Sequence, residues 1–252
     1  MRVQSLACQT DLNLTQFDGQ IIDRGHYLVV VTPSNPTYFW GNYLLFDDPP
    51  SPRDFARWQS LFAAEIGNRP GIVHRAFGWD ASDGRLGHAE PFLAAGFRLL
   101  QSTVLAANQV HQPPHYDPEI AVRPLSGETD WRHVGQYQDI SPTRLARFRS
   151  QIEAGFGTWF GAFINDQPAA DLGLFVKDGI GRFQEVETYP NFRRRGVCRS
   201  LVYRASRYAF DHLAAKKLVI VADEGSAAES VYQQVGFQAV ERQVGIDDLP
   251  LL

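Results

Sequence analysis

The sequence predicts an α/β fold, helices on a mixed sheet, built twice in tandem. Three observations carry that expectation. The stretch from Val186 to Leu201 reads as a strand, a proline turn and a helix in succession. A meander of strands precedes it and a strand–helix pair follows it, the alternation expected of a mixed sheet. Finally, Pro50 and Pro190 each close a strand before a helix, and Gly96-Phe97 and Gly236-Phe237 each follow a helix, at the same offset of 140 residues. Two landmarks at one offset, with matching element order, point to internal duplication.

In chain order, residues 1–18 carry no strong period. Gln20 to Thr32 and Tyr38 to Phe46 are expected as strands, separated by Pro33-Ser34-Asn35-Pro36. Ser51 is placed to cap a helix from Arg53 to Ile66, whose apolar side carries Phe55, Trp58, Leu61, Phe62 and Ala63. Gly71 to Trp79 is expected as a strand, Ala89 to Ala95 as a helix stopped by Gly96, and Phe97 to Ala106 as a strand. Residues 108–118 are polar and proline-rich, a semi-rigid linker between a first domain over 1–107 and a second over 119–252. Pro113 and Pro114 forbid the helix that would align His111 with His115 as metal ligands.

The second domain opens with a strand from Ile120 to Leu125. A helix capped by Ser126 or Thr129 runs through Gln138, and another runs from Ser141-Pro142 to about Ala154. Gly157 to Ile164, Gln167 to Val176 and Ile180 to Tyr189 form a meander, with hairpin turns at Asn165-Asp166 and Lys177-Asp178-Gly179. After the proline turn, apolar residues at Val197, Leu201, Val202, Ala205, Tyr208, Ala209 and Leu213 fall at helical spacing. Lys217 to Ala222 is a short buried strand, and Ser226 caps a helix ending at Gly236.

Arg193, Arg194, Arg195 and Gly196 stand where the long helix begins. Its first turn presents unpaired N–H groups and a positive dipole end, and glycine lets a ligand approach the main chain. That combination suits phosphate, two adjoining phosphates above all. In the first half the corresponding turn carries Asp47 and Asp48, with Arg53-Asp54-Phe55-Ala56 in place of the arginine–glycine run, and would repel such a ligand.

Arg193-x-x-Gly196-x-Cys198 resembles the pyrophosphate-binding motif of the GNAT superfamily of acyl-CoA N-acyltransferases, Arg or Gln, two residues, Gly, one residue, then Gly or Ala. Cys198 departs from the last position with another small residue. Ala228, Tyr232 and Gly236-Phe237 resemble the family's fourth helix, with Gly225 where an asparagine is frequent. The resemblance covers roughly 119–245. It implies a GNAT fold, degenerate in the first half. It also implies acetyl-CoA as co-substrate, held by the main chain of Val186 and Thr188, by Arg193, Arg194, Arg195, Gly196, Val197, Cys198 and Arg199, and by Ser226. No metal is expected.

Transfer of an acyl group to an amine needs a base and a proton for the leaving thiolate. Glu185 and Glu187 alternate along the strand, on one face if it is regular, and are the candidate bases. Glu187 is nearer the turn. Tyr232 is the candidate acid, on the resemblance. Arg144, Arg147 and Arg149 lie in the helices that, on the resemblance, flank an acceptor cleft. The expected acceptor is a small-molecule or peptide amine, otherwise unspecified. A non-catalytic acyl-CoA sensor and an interaction scaffold are the alternatives.

Net charge of −4 at pH 7 argues against a nucleic-acid coat. Two cysteines, Cys8 and Cys198, make no disulfide framework, and no apolar run reaches membrane-spanning length. No apolar stretch precedes Leu6-Ala7-Cys8 to make it a lipoprotein signal. A cytoplasmic location is expected.

Overall fold

The computed structural model describes residues 1–136 and 140–248. The chain forms two compact units. Unit 1 is discontinuous, Met1–Val104 with the stretch from Val240 onward, and unit 2 is Leu105–Ala239.

Unit 1 contains helix α1 (Leu6–Thr15), strands β1 (Gln20–Asp23), β2 (Tyr27–Val31) and β3 (Tyr43–Phe46), helix α2 (Asp54–Phe62), strand β4 (Arg75–Trp79), helix α3 (Glu90–Ala94), strand β5 (Arg98–Ala107) and the final strand β11 (Gln238–Asp248). Its sheet order is β1-β2-β3-β4-β11-β5. β3 and β4 are parallel with α2 between them, whereas β11 is antiparallel to β4, with Ile246 opposite Phe77. Trp58 of α2 stacks on Phe46 with ring centroids 3.8 Å apart, anchoring a core that includes Phe62, Phe77, Trp79, Phe92, Val244 and Ile246.

Several first-half expectations need correction. Gln20–Thr32 is a hairpin, because Gly25 at φ +87° turns the chain between β1 and β2. Tyr38–Phe46 begins with a 3-10 turn at Phe39–Gly41 before β3. Ser51 does not cap α2; its N–H and hydroxyl donate to the Asp54 carboxylate at 2.8 and 2.6 Å. Residues 1–18 contain α1, whose first N–H groups donate to a distant carboxylate: Leu6 and Ala7 to Glu241 at 2.9 and 3.3 Å. The last strand completes unit 1 instead of belonging wholly with residues 119–252.

Unit 2 contains β6 (Ala121–Pro124), α4 (Gly127–Trp131), α5 (Pro142–Glu153), β7 (Thr158–Ile164), β8 (Gln167–Lys177), β9 (Ile180–Thr188), α6 (Val197–His212), β10 (Lys217–Asp223) and α7 (Ala227–Val235). Sheet order is β10-β9-β8-β7-β6, antiparallel except for the parallel β9–β10 pair, which α6 connects. The hairpin turns fall as expected, with Asn165, Asp166, Asp178 and Gly179 all at positive φ. α4 ends at Trp131, and Gln138, where it was expected to reach, lies outside the described residues. Residues 108–118 are bound to unit 2 at several points: His111 N–H to the Val235 carbonyl, Arg199 to the Pro114 carbonyl and Arg204 to the Tyr116 hydroxyl.

Strand, strand, helix, parallel strand, helix and strand run in the same order from β2 to β5 as from β8 to β11. The fold is thus a mixed α/β sheet with the order of a duplicated unit. No helix among the described residues is long and apolar enough to cross a membrane.

Candidate active site

β9 delivers the chain to α6 through Tyr189, a 3-10 turn at Pro190–Phe192 and a tight bend at Arg193–Gly196. Arg194 has φ +61° and Gly196 φ +80° at the helix N-cap, the left-handed region in which glycine carries no steric penalty. A Cβ on Gly196 would also come within 3.2 Å of Arg199 Nε. No side chain among the described residues caps the start of α6, an arrangement able to accept an anion at its first-turn N–H groups. Arg194 and Arg195 are exposed, with no carboxylate partner among the described residues, and the Arg195 guanidinium lies 5.5 Å from the Phe192 ring centre. Arg193 donates to the Thr188 carbonyl at 3.0 Å and to Glu187 at 3.1 Å; Arg199 is turned to the Pro114 carbonyl and Gln234. Val197 packs its side chain in the core, so only its main chain faces the turn.

The β8–β9 ladder slips by a residue. Asp171 pairs with Glu187 but Gly173 pairs with Gln184, and Glu185 takes φ +50°. A β-bulge therefore interrupts β9 at Glu185, and the regular alternation that would align Glu185 with Glu187 does not hold. Glu185 instead pairs with Arg144 of α5, and Glu187 with Arg193. Burial pushes the Glu185 carboxyl above its usual range, while Arg144 opposes the shift. Arg149 pairs with Glu128 and Glu153, away from the bulge.

Sequence reasoning missed a third carboxyl, Asp171, which is 1% exposed. Trp159 Nε1 donates to Oδ1 at 2.9 Å, and the Tyr189 hydroxyl lies 2.7 Å from Oδ2. Burial pushes Asp171 up to about 7; the two hydrogen bonds act against this, and the charges of Glu187 and Glu185 reinforce it. The signal available was a lone aspartate inside the apolar run Ala169 to Leu174.

Cys198 sits beneath the turn. Burial pushes its thiol up to about 11, with Glu187 adding to the shift and the Thr188 hydroxyl and Arg199 opposing it. Tyr232 of α7 is also buried, which raises its hydroxyl well above the usual phenol range, with Cys198 and Asp223 contributing. Glu187, Thr188, Arg193, Cys198 and Tyr232 thus form one neighbourhood. Ser226 is not tied to it: its hydroxyl is buried, has no hydrogen-bond partner among the described residues and does not cap α7. The Gly225 N–H donates to Glu229 at 3.2 Å instead.

In unit 1 the corresponding turn borders a cleft of about 320 Å³ lined by His26, Asp47, Asp48, Asp54, Arg57 and Trp58. Its three aspartates make it unsuited to a pyrophosphate.

Residues 127–237 match the model of the acetyltransferase (GNAT) family. No curated protein matches the chain. Among solved structures, a GCN5-related N-acetyltransferase from Kribbella flavida is similar over 97% of this chain and 96% of its own, with TM-score 0.71 and 13% identity. A conserved protein of unknown function from Staphylococcus epidermidis is similar over 92% and 94%, with TM-score 0.69 and 13% identity. A tandem GNAT protein from the clavulanic acid biosynthesis pathway is similar over 81% and 77%, with TM-score 0.55 and 13% identity. At these identities the likeness is one of fold.

Proposed function

Residues 127–237 form an acetyltransferase domain of the GNAT family, and from that premise we propose that the protein transfers an acetyl group from acetyl-CoA to a primary amine. The observation that carries the reading is the uncapped start of α6, with Gly196 at positive φ and Arg194 and Arg195 exposed beside it. A built anion site of this kind fits the pyrophosphate of CoA.

Acetyl-CoA, when bound, supplies an acyl carbon activated as a thioester. In this reading, main-chain groups of Arg193 to Cys198 hold the pyrophosphate, assisted by Arg194, Arg195 and Arg199. Val186 and Thr188 offer main-chain groups to the pantetheine arm as a further strand would. Glu187, or Glu185, takes the proton that the amine nitrogen releases as its bond to the acyl carbon forms. Tyr232, kept protonated by burial, meets the leaving sulfur as a hydroxyl donor. A cytoplasmic setting accords with the two free cysteines.

Calorimetric titration of acetyl-CoA into wild type and into Arg195→Glu with Gly196→Asp tests the reading. Binding is expected in the first and lost in the second; absence of binding by wild type would sink it. A second reading, a non-catalytic acyl-CoA sensor, draws support from the arginine partners of both glutamates. Loss of turnover, but not of binding, on changing Glu185 and Glu187 would support the enzyme; no turnover with any amine despite tight binding by wild type would favour the sensor.

A further inference from the structure

We propose that Asp171 is the proton store of the transfer site, taking over from Glu187 the proton that the acceptor amine gives up. The proposal rests on the acetyltransferase reading above.

Asp171 and Glu187 are directly opposed across the β8–β9 ladder, which places their Cβ atoms about 5 Å apart on one face. Glu187 and Glu185 each have an arginine, Arg193 and Arg144. Asp171 has no cation among the described residues; its partners are an indole N–H and a phenol. Among the described residues these three neighbouring carboxyls have two arginines between them, so an added proton is held readily, and the most deeply buried carboxyl is the one to which it passes.

The hydrogen bonds serve both protonation states. The Tyr189 hydroxyl lies 2.7 Å from Asp171 Oδ2 and 3.1 Å from the carbonyl oxygen of His133. With Asp171 ionised, the hydroxyl donates to Oδ2. With Asp171 protonated, Oδ2–H donates to the tyrosine oxygen, and the hydroxyl turns to the His133 carbonyl. No heavy atom need move. Trp159 Nε1 donates to Oδ1 in either state, and its ring is held across Gly173, where a Cβ would lie 2.8 Å from it. Burial that pushes Asp171 up to about 7 is consistent with reversible loading at neutral pH.

The transfer balances without redox change. An N–H bond of the amine breaks as Glu187 gains the proton; that O–H bond then breaks as the Asp171 O–H forms. The proton leaves for water by the same route after turnover. Among the described residues, the charged or titratable groups facing Asp171 are Glu185 and Glu187 from β9 and Tyr189 beyond it, with Arg144 of α5 and Arg193 reaching it through the glutamates.

The test uses the full chain as wild type, Asp171→Asn and Tyr189→Phe. Infrared titration follows the protonated-carboxyl band, free-thiol release follows acetyl-CoA turnover with a panel of primary amines, and calorimetry follows acetyl-CoA binding. In wild type a carboxyl band titrates near pH 7; Asp171→Asn lacks it. Tyr189→Phe, which keeps the carboxyl, moves it to higher pH because the hydroxyl favours the ionised form. Asp171→Asn also lowers kcat roughly a hundredfold, leaving KM for acetyl-CoA within about twofold. A band that persists in Asp171→Asn, is unmoved in Tyr189→Phe, or is absent from wild type overturns the proposal, as does wild-type kcat in Asp171→Asn. Failure of wild type to bind acetyl-CoA overturns the underlying reading instead.

Discussion

Arg193 reaches back to hold Glu187 at 3.1 Å while its Nε donates to the Thr188 carbonyl at 3.0 Å. One guanidinium therefore fixes the bend before α6 and neutralises the carboxylate nearest to it. Arg193→Gln removes both restraints. Loss of charge-assisted hydrogen bonds worth about 1.4 kcal/mol corresponds to roughly tenfold weaker acetyl-CoA binding. Calorimetry checks this, and an unchanged Kd would place Arg193 outside the binding turn.

Gly196→Ala puts a Cβ on a residue at φ +80° and brings it within 3.2 Å of Arg199 Nε. The left-handed conformation costs a non-glycine residue roughly 1–2 kcal/mol. Urea unfolding is expected to report a loss of that size, accompanied by weaker acetyl-CoA binding. Full stability would mean that the bend relaxes at no cost.

Arg144→Ala leaves Glu185 buried without the cation that opposes its upward shift. The Glu185 carboxyl then rises further. Should Glu185 be the base, the acid limb of the kcat/KM profile moves to higher pH; an unmoved limb assigns it to another group.

Asp171 makes stability depend on pH with a definite sign. Below about pH 4 it is protonated in both folded and unfolded chains; between about 4 and about 7 the folded chain keeps a proton that the unfolded chain has released. Its contribution to stability therefore falls across that window and is level above it. Urea unfolding from pH 4.5 to 8 should show this slope in wild type relative to Asp171→Asn. Parallel profiles for the two proteins would contradict it.

Glu241→Gln weakens the start of α1, where the carboxylate accepts from Leu6 N–H, Ala7 N–H and the Ser5 hydroxyl. A cost of about 1 kcal/mol is expected, with faster amide exchange in residues 6–15. Unchanged exchange would mean that the local Ser5 cap suffices.

The turn from β9 into α6 was legible because its determinants are neighbours in the chain. Pro190 ends the ladder, Gly196 supplies the left-handed bend, and the apolar spacing of Val197, Leu201, Val202 and Ala205 defines the face of α6 that is buried. Asp178-Gly179 and Asn165-Asp166 were legible for the same reason. α1 was not: Ser5 caps it locally, but the Leu6 and Ala7 N–H groups are taken up by Glu241, at the other end of the chain. Ser226 satisfied the local rule for a cap, yet its hydroxyl has no hydrogen-bond partner among the described residues, and Glu229 accepts from the Gly225 N–H just before the helix.

By itself the sequence determined the strand–turn–helix that carries the proposed anion site, the repeat of element order at a 140-residue offset, and the acidic character of the first-half turn. Each depends on residue types a few positions apart, or on a spacing countable along the chain. Only the tertiary structure decided that β9 bulges at Glu185, that Arg144 and Arg193 divide the two glutamates between them, and that Asp171 is a third carboxyl of the site. Ladder register and desolvation are properties of what packs against a residue, and those partners, Trp159 and Tyr189 for Asp171, come from other strands and turns of the sheet.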